Sequence, residues 1–110
     1  MKGDHIGEFE ELVLLAVQAR GDDAYGVAVQ GLLEQETTRP VSIGAVYAAL
    51  DRLETKGLVR SRLTTGTPVR GGRSRRAFVP TPAGLRALAA MRHVRERLWR
   101  AAHGPARGRS

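Results

Sequence analysis

The chain has 110 residues, a formal net charge of +7 and no cysteine. That length suits one small domain rather than two independent cores, and the missing cysteine excludes disulfides and thiolate chemistry. It shows neither a signal-peptide pattern nor an apolar run long enough to cross a membrane, so we expect a cytoplasmic protein without membrane partners.

The charge is divided unevenly along the chain. Residues 1–56 carry 5 Lys and Arg against 10 Asp and Glu, whereas residues 57–110 carry 13 against 1. A strongly basic half indicates a surface that meets a polyanion, with nucleic acid as the first candidate. The alternative is an arginine-rich composition without a particular partner, because 16 of the 18 cations are arginine.

Two helices are predicted before residue 40. Residues 7–19 are apolar over more than one stripe, which predicts a helix buried on several sides. Residues 24–36 carry apolar side chains at helical spacing, and we expect Asp22 or Asp23 to cap this second helix. Pro40 lies beyond its end, because proline fits poorly inside a helix.

A third helix is predicted within residues 41–59, VSIGAVYAALDRLETKGLV. Ser42 is a favourable N-cap, and Gly57 stands where a left-handed residue ends a helix. Helical spacing predicts a core face with four apolar residues: Ile43, Val46, Leu50 and Leu53. The outward side of its first turns carries unusually small residues: Gly44, Ala45, Ala48 and Ala49.

After Gly57 the apolar spacing changes to a period of two. Strands are predicted over residues 58–63 and 76–81, paired as an antiparallel ribbon. The connection, residues 64–75, is rich in Gly, Thr, Pro and Arg and predicts a basic loop at the ribbon tip.

The last helix is predicted over residues 81–103, with Thr81 as its cap and Pro82 at its first position. This helix is about 30 Å long and carries a broad apolar stripe. A three-helix core cannot cover that length, so we expect part of the stripe to meet a second copy of the chain. The predicted dimer-interface residues are Phe9, Leu12, Leu88, Met91, Val94, Leu98 and Trp99. We expect residues 104–110 to form a disordered tail.

The sequence carries no pattern typical of an enzyme. His5, His93 and His103 do not have the spacing of metal ligands, and phosphate-loop and nucleophile motifs are missing. We therefore expect no catalytic activity, no metal and no cofactor.

Three helices followed by a basic ribbon are typical of a winged helix-turn-helix. The expected fold class is α+β and mostly helical, with a DNA-binding domain over residues 1–80 and a dimerisation helix over 81–103. In this fold the third helix enters the major groove of DNA and the ribbon, or wing, reaches the backbone or minor groove. Small side chains would let the third helix approach the bases closely. The alternative is that these alanines are merely good helix formers.

The segments SIGAVYAALDRLETKGLVRSRL and GGRSRRAFVPTPAG resemble the PadR family of bacterial transcriptional regulators. The matching positions of the first segment are Ser42, Gly44, Tyr47, Leu50, Arg52, Leu53, Glu54, Gly57 and Leu58. The resemblance implies a homodimeric repressor that binds a near-palindromic operator in double-stranded DNA and releases it on a small-molecule signal. Ala77 and Pro80 depart from the family pattern, so we expect a short or irregular second wing strand.

The predicted DNA contacts are Tyr25, Ser42, Gly44, Ala45, Tyr47, Ala48, Arg52, Arg70, Arg73, Arg75 and Arg76. For Tyr47 the alternative is a half-buried core tyrosine, and for Tyr25 it is a packing role. We expect Glu54 to pair with a nearby arginine. Trp99 is either an interface anchor or, as in some members of the family, a platform for a planar effector. The alternative functions are a non-specific architectural nucleic-acid-binding protein and an interaction module that no longer binds DNA.

Overall fold

The computed structural model describes residues 6–64 and 75–104. Its elements, in chain order, are α1 (Glu8–Arg20), α2 (Gly26–Thr37), α3 (Ile43–Thr55), β1 (Val59–Thr64), β2 (Arg75–Pro80) and α4 (Pro82–His103). This arrangement confirms the expected α+β, mostly helical winged helix-turn-helix with a long last helix. The predicted contacts Arg70 and Arg73, and the predicted tail from residue 105 onwards, lie outside the described residues.

The core lies where α1, α2 and α3 meet the inner face of β2. Phe78 from β2 is almost completely buried, together with Leu14, Leu50 and Leu53 from the helices. Each such side chain stabilises the fold by about 1.5–3 kcal/mol relative to an exposed one. Helix α1 is buried on more than one side, as its wide apolar surface predicts.

The start of α2 differs from the prediction. Asp22 and Asp23 form a short 3₁₀ turn, and the N-cap is Tyr25, which makes no side-chain capping bond. The reason is tertiary: the Phe78 amide donates to the Ala24 carbonyl at 3.0 Å, and Tyr25 bridges Ala77 on β2. Pairing with β2 holds this segment extended, so the helix begins only at Gly26.

Side chains of α2 hold the turn that leads into α3. Gln30 donates to the Val41 carbonyl at 2.8 Å, and the Val41 amide donates to Glu34 at 2.9 Å. Ser42 then caps α3 as predicted, because its hydroxyl accepts the Ala45 amide at 2.9 Å. Hydrogen bonds of Val41 to α2 and of Ser42 to α3 therefore set the direction in which α3 leaves the turn.

The buried face of α3 departs from the predicted stripe at two positions. Val46, Leu50 and Leu53 are fully buried as expected, but Ile43 is 36% exposed and Ala49 is fully buried. Helix α3 packs on both α1 and α2, so its buried face is wider than one stripe and includes Ala49. Ile43 is the first residue of the helix and lies at the edge of that contact.

The wing is more regular than expected. Strands β1 and β2 pair antiparallel over six residues each, from Val59 opposite Pro80 to Thr64 opposite Arg75. Ala77 is buried because the Tyr25 segment covers it. Pro80 is the last residue of the strand, a position where the missing amide is tolerated.

Helix α4 is attached to the wing at its start and exposed at its end. Thr81 caps it by accepting the Gly84 amide at 3.0 Å, and the Thr81 hydroxyl donates to the Gly57 carbonyl at 2.7 Å. Gly57 has φ +76°, the left-handed conformation predicted for the residue that ends α3. A Cβ at Gly84 would overlap the Leu58 carbonyl oxygen, so this approach requires glycine. None of the helices within residues 6–64 and 75–104 has the length and apolar character that a bilayer crossing needs.

Candidate nucleic-acid interface

The outward face of α3 is smooth and has no partner within the described chain. Gly44, Ala45 and Ala48 are exposed. A Cβ added at Gly44 would meet only the Ser42 hydroxyl, at 4.0 Å. Packing inside the chain therefore gives no reason for glycine at this position, although glycine weakens a helix relative to alanine. A close approach from outside would give such a reason.

Tyr47 packs on α2 as a half-buried tyrosine, and its contact with DNA stays a prediction. Its side chain is 36% exposed, and its ring tip rests on the start of α2, where a Cβ at Gly26 would overlap it. The phenol is thus fixed against one helix while part of it faces solvent. Gly26 has a clear packing reason, unlike Gly44.

Tyr25 and Arg75, the first residue of β2, form a stacked pair. The Arg75 guanidinium carbon lies 3.9 Å from the centre of the Tyr25 ring, within the range of a cation–π contact. Val27 and Tyr47 line the same open pocket with these two residues and Arg76. Four predicted contact residues, distant in sequence, are therefore adjacent: Tyr25, Tyr47, Arg75 and Arg76.

Arg76 is held by a network that spans α3 and both wing strands. It donates to Glu54 at 3.0 Å, and Ser61 donates to the other carboxylate oxygen at 2.9 Å. The Arg76 guanidinium also lies 4.9 Å from the centre of the Phe78 ring. Glu54 is therefore the arginine partner that the sequence predicts.

Arg52 has a partner inside the chain. Its Nε donates to Glu10 on α1 at 2.6 Å, and Lys56 donates to the same carboxylate at 2.7 Å. Arg52 keeps 52% of its side chain exposed, whereas Glu10 keeps only 9%. Its assignment to DNA stays a prediction, and the structure adds an anchoring role for α3.

Glu10 has a lowered pKa. Burial raises the pKa of this carboxyl, but the hydrogen bonds from Lys56 and Arg52, with their positive charges, outweigh that effect. Glu10 was not recognised from the sequence. The available signal was weak, because the first turn of α1 contains three acidic residues, Glu8, Glu10 and Glu11, and the sequence does not show which of them are buried.

The predicted dimer residues divide into two groups. Phe9, Leu12 and Leu88 pack in or against the chain's own core, so their side chains are largely used within one copy. Val94, Leu98 and Trp99, further along α4, are exposed, the last two by 65% and 67%. Met91 lies between the groups and is half-buried.

Two contacts order the side chains of α4. Arg95 donates twice to Glu11, which ties the middle of α4 to the first turns of α1. The Trp99 ring stacks on His103, with ring centres 4.3 Å apart. Glu11 and its pairing with Arg95 were not recognised from the sequence.

Metal chemistry has no support in the described residues. Over 6–64 and 75–104, no three His, Asp or Glu side chains are grouped closely enough to hold an ion. The cluster at the start of α2, α3 and β2 presents two phenols, Tyr25 and Tyr47, and two cations, Arg75 and Arg76. Such groups bind phosphates and base edges.

Several solved structures are similar to this chain. A PadR-like transcriptional regulator from Bacillus cereus has a TM-score of 0.71 and 20% identity, covering 91% of this chain and 92% of its own. A PadR family regulator from Clostridium difficile has a TM-score of 0.70 and 22% identity, over 86% and 94%. At these identities the likeness shows a common fold.

A third structure is closer in sequence. A PadR family transcriptional regulator from Eggerthella lenta is 26% identical, with a TM-score of 0.64 and coverage of 86% of this chain and 82% of its own. None of the curated proteins compared with the chain matches it significantly. The profile of the PadR-like family of transcriptional regulators, which are not enzymes, matches residues 13–90, from the middle of α1 into α4. The chain therefore belongs to the PadR-like family of transcriptional regulators.

Proposed function

We propose that this protein is a ligand-responsive repressor that binds a near-palindromic operator as a homodimer. The observation that carries the proposal is the exposed, partnerless face of Gly44, Ala45 and Ala48 beside the Tyr25–Arg75 pair. A smooth helix face next to cations and phenols suits a major groove flanked by phosphates.

The two parts of this surface have different tasks. Arg75 and the tyrosine hydroxyls bind backbone phosphates, which position the protein without reading sequence. Stacking on Tyr25 restricts the Arg75 guanidinium, so less side-chain freedom is lost when it binds a phosphate. Arg70 and Arg73, at the predicted tip of the wing, extend this contact. The α3 face is assigned to the base edges.

Dimerisation is supported by the far end of α4. Twenty-two residues make a helix of about 33 Å. Its exposed apolar side chains Val94, Leu98 and Trp99 form a patch that a second copy can bury. A two-fold symmetric dimer presents two α3 helices, which requires an operator whose two half-sites form an inverted repeat. Such a regulator acts in the cytoplasm, where the chromosome lies.

The effector is assigned to the same end of α4. The Trp99 ring is exposed and already stacked on His103. A planar ligand that stacks on this pair at the dimer interface would change how the two copies are arranged, and with it the spacing of the α3 helices. Arg95 and Glu11 would carry that change from α4 to α1.

A second candidate is a non-specific architectural DNA-binding protein. The high sequence pI of about 11.2 favours it, because sequence-independent binding is dominated by cation–phosphate contacts. The two candidates differ in specificity rather than in affinity alone.

The test is selection of duplexes from a random DNA library with the full chain, followed by fluorescence anisotropy at several salt concentrations. A specific regulator should prefer the selected duplex over a shuffled one by at least about 10³-fold. Equal affinities for the two duplexes would favour the architectural candidate. No salt-dependent binding to either would favour an interaction module that does not bind DNA.

Two substitutions at Ala48 test whether the outward face of α3 meets the major groove. We expect Ala48→Glu to lower affinity for the selected duplex by roughly 100-fold, because it adds bulk and a charge that phosphates repel. Ala48→Gln adds nearly the same bulk without the charge and should lose less. Unchanged affinity in both folded variants would mean that α3 faces elsewhere.

A further inference from the structure

Ile43 has a partly exposed side chain at the N-terminus of α3. It is the first residue of the helix and 36% of its surface is accessible, although its spacing predicts a core residue. In helix-turn-helix proteins the N-terminal residues of the recognition helix are those that contact base edges. An apolar side chain therefore lies where base readout is expected.

The rest of α3 offers few groups for hydrogen-bonded readout. Arginine or lysine reads guanine, and asparagine or glutamine reads adenine, through paired hydrogen bonds. Helix α3 is described over its whole length and contains neither asparagine nor glutamine, and its exposed carboxylate Asp51 lies in the third turn, away from the N-terminal residues. Its two cations, Arg52 and the C-cap Lys56, both donate to Glu10.

Two further polar side chains near the start of α3 make contacts within the chain. The Ser42 hydroxyl accepts the Ala45 amide as the helix cap. Tyr47 rests on the start of α2. The exposed residues of the first two turns are thus Ile43 and Tyr47, each 36% exposed, and the small residues Gly44, Ala45 and Ala48, so that Ile43 is the exposed aliphatic side chain larger than alanine. The only feature of a base edge in the major groove that suits an apolar side chain is the 5-methyl group of thymine.

We propose that Ile43 determines operator specificity by packing against a thymine 5-methyl group in each half-site. This inference rests on the proposed DNA-binding function of α3 and adds the chemistry by which sequence is read. Gly44 allows the contact, since a side chain there would hold the helix away from the base edge.

The test replaces thymine by deoxyuridine, one position at a time, in the duplex selected from the random library. Deoxyuridine pairs like thymine and lacks only the methyl group. We expect one thymine in each half-site at which the wild-type affinity falls roughly fourfold, the factor for losing burial of one methyl-sized group. If deoxyuridine leaves the affinity unchanged at every thymine position, the inference is wrong, although the proposed specific binding would still stand.

The assignment to Ile43 is tested by combining both changes. Ile43→Ala should weaken binding to the thymine duplex and show no further loss with deoxyuridine at the sensitive position, because the contact is already missing. If Ile43→Ala retains the full fourfold loss, another residue reads the methyl group and the assignment is wrong. Ile43→Val keeps the β-branched shape and should lose less affinity with deoxyuridine than the wild type does. It replaces the alanine variant if that variant does not fold.

Val27→Ala is the matched control. Val27 is an exposed β-branched residue near the start of α2, and the pocket that it lines does not include Ile43. Its removal should leave the deoxyuridine effect at fourfold. If selection enriches no sequence at all, the proposed specific function fails, a result distinct from an enriched duplex without a methyl effect.

Discussion

Arg76 on the second wing strand donates a hydrogen bond to Glu54 on α3 at 3.0 Å, and Ser61 on the first strand donates to the same carboxylate. One side chain of the recognition helix therefore contacts both strands of the wing. The two elements proposed to bind DNA are held together by this pair, with 42% and 37% of their side chains exposed.

The Arg76–Glu54 pair should contribute little to stability, because both side chains are substantially solvated. We expect Glu54→Gln and Arg76→Gln, measured singly and together by urea unfolding, to show a coupling energy of about 0.2–1 kcal/mol. Added salt should reduce it. A coupling of several kcal/mol that resists salt would mean that the pair is shielded from water, in contrast to the exposed geometry.

Glu10 should matter much more than its surface counterpart Glu96. Glu10 is nearly buried and accepts from two cations, whereas Glu96 is exposed and pairs with Arg92 one turn away. Glu10→Gln should lower the free energy of unfolding by about 1.5–3 kcal/mol, because it removes the negative charge that accepts hydrogen bonds from two cations. Glu96→Gln is the matched control and should change little in the same measurement. Equal effects would contradict the anchoring role of Glu10.

The lowered pKa of Glu10 predicts acid sensitivity. Its pKa is lower in the folded chain than its ordinary value of 4.5, so its contribution to stability is complete above pH 4.5. That contribution is lost as the pH falls from there through the folded pKa. Unfolding free energies measured across this range should fall less steeply for Glu10→Gln than for the wild type. Parallel pH profiles would show that the carboxylate is not linked to folding.

Replacing Gly44 with alanine should favour folding and weaken DNA binding. Alanine favours a helix over glycine by up to about 1 kcal/mol, and a Cβ at Gly44 meets nothing closer than 4.0 Å. Gly44→Ala should therefore be as stable as the wild type or more so. An added methyl in a closely fitted interface costs about 1–3 kcal/mol, so anisotropy should show weaker DNA binding.

Gly31 provides the control for Gly44. It is an exposed helical glycine with no atom within 4 Å of an added Cβ, but it lies in the middle of α2. Gly31→Ala should raise stability in the same way and leave DNA affinity unchanged. If Gly44→Ala also leaves affinity unchanged, the α3 face does not approach DNA closely.

Leu98 should be essential for self-association. A charge within an apolar dimer contact has no compensating partner, so Leu98→Glu should shift the protein from dimer to monomer in analytical ultracentrifugation at micromolar concentration. Leu63→Glu, a similarly exposed leucine on β1, should leave the dimer intact. A wild-type monomer would contradict dimerisation, and a dimeric Leu98→Glu variant would place the interface elsewhere.

The sequence by itself determined the features that depend on near neighbours in the chain. Ser42 and Thr81 were identified as helix caps, and Gly57 as the end of α3, because each forms its hydrogen bonds or adopts its backbone conformation within a few residues. The apolar period likewise predicted that Val46, Leu50 and Leu53 face the core. The charge division between the two halves indicated the basic wing.

Only the tertiary structure decided the relationships between residues distant in the chain. Arg52 could not be matched to Glu10, 42 residues away, nor Arg95 to Glu11, 84 residues away, because a carboxylate in a sequence does not indicate which cation approaches it. Ala49 is buried because α1 and α2 both cover α3, whereas Ile43, the first residue of the helix, is exposed because it lies at the edge of that contact. The helix period defines a direction for each side chain, but the neighbouring elements decide which directions face water.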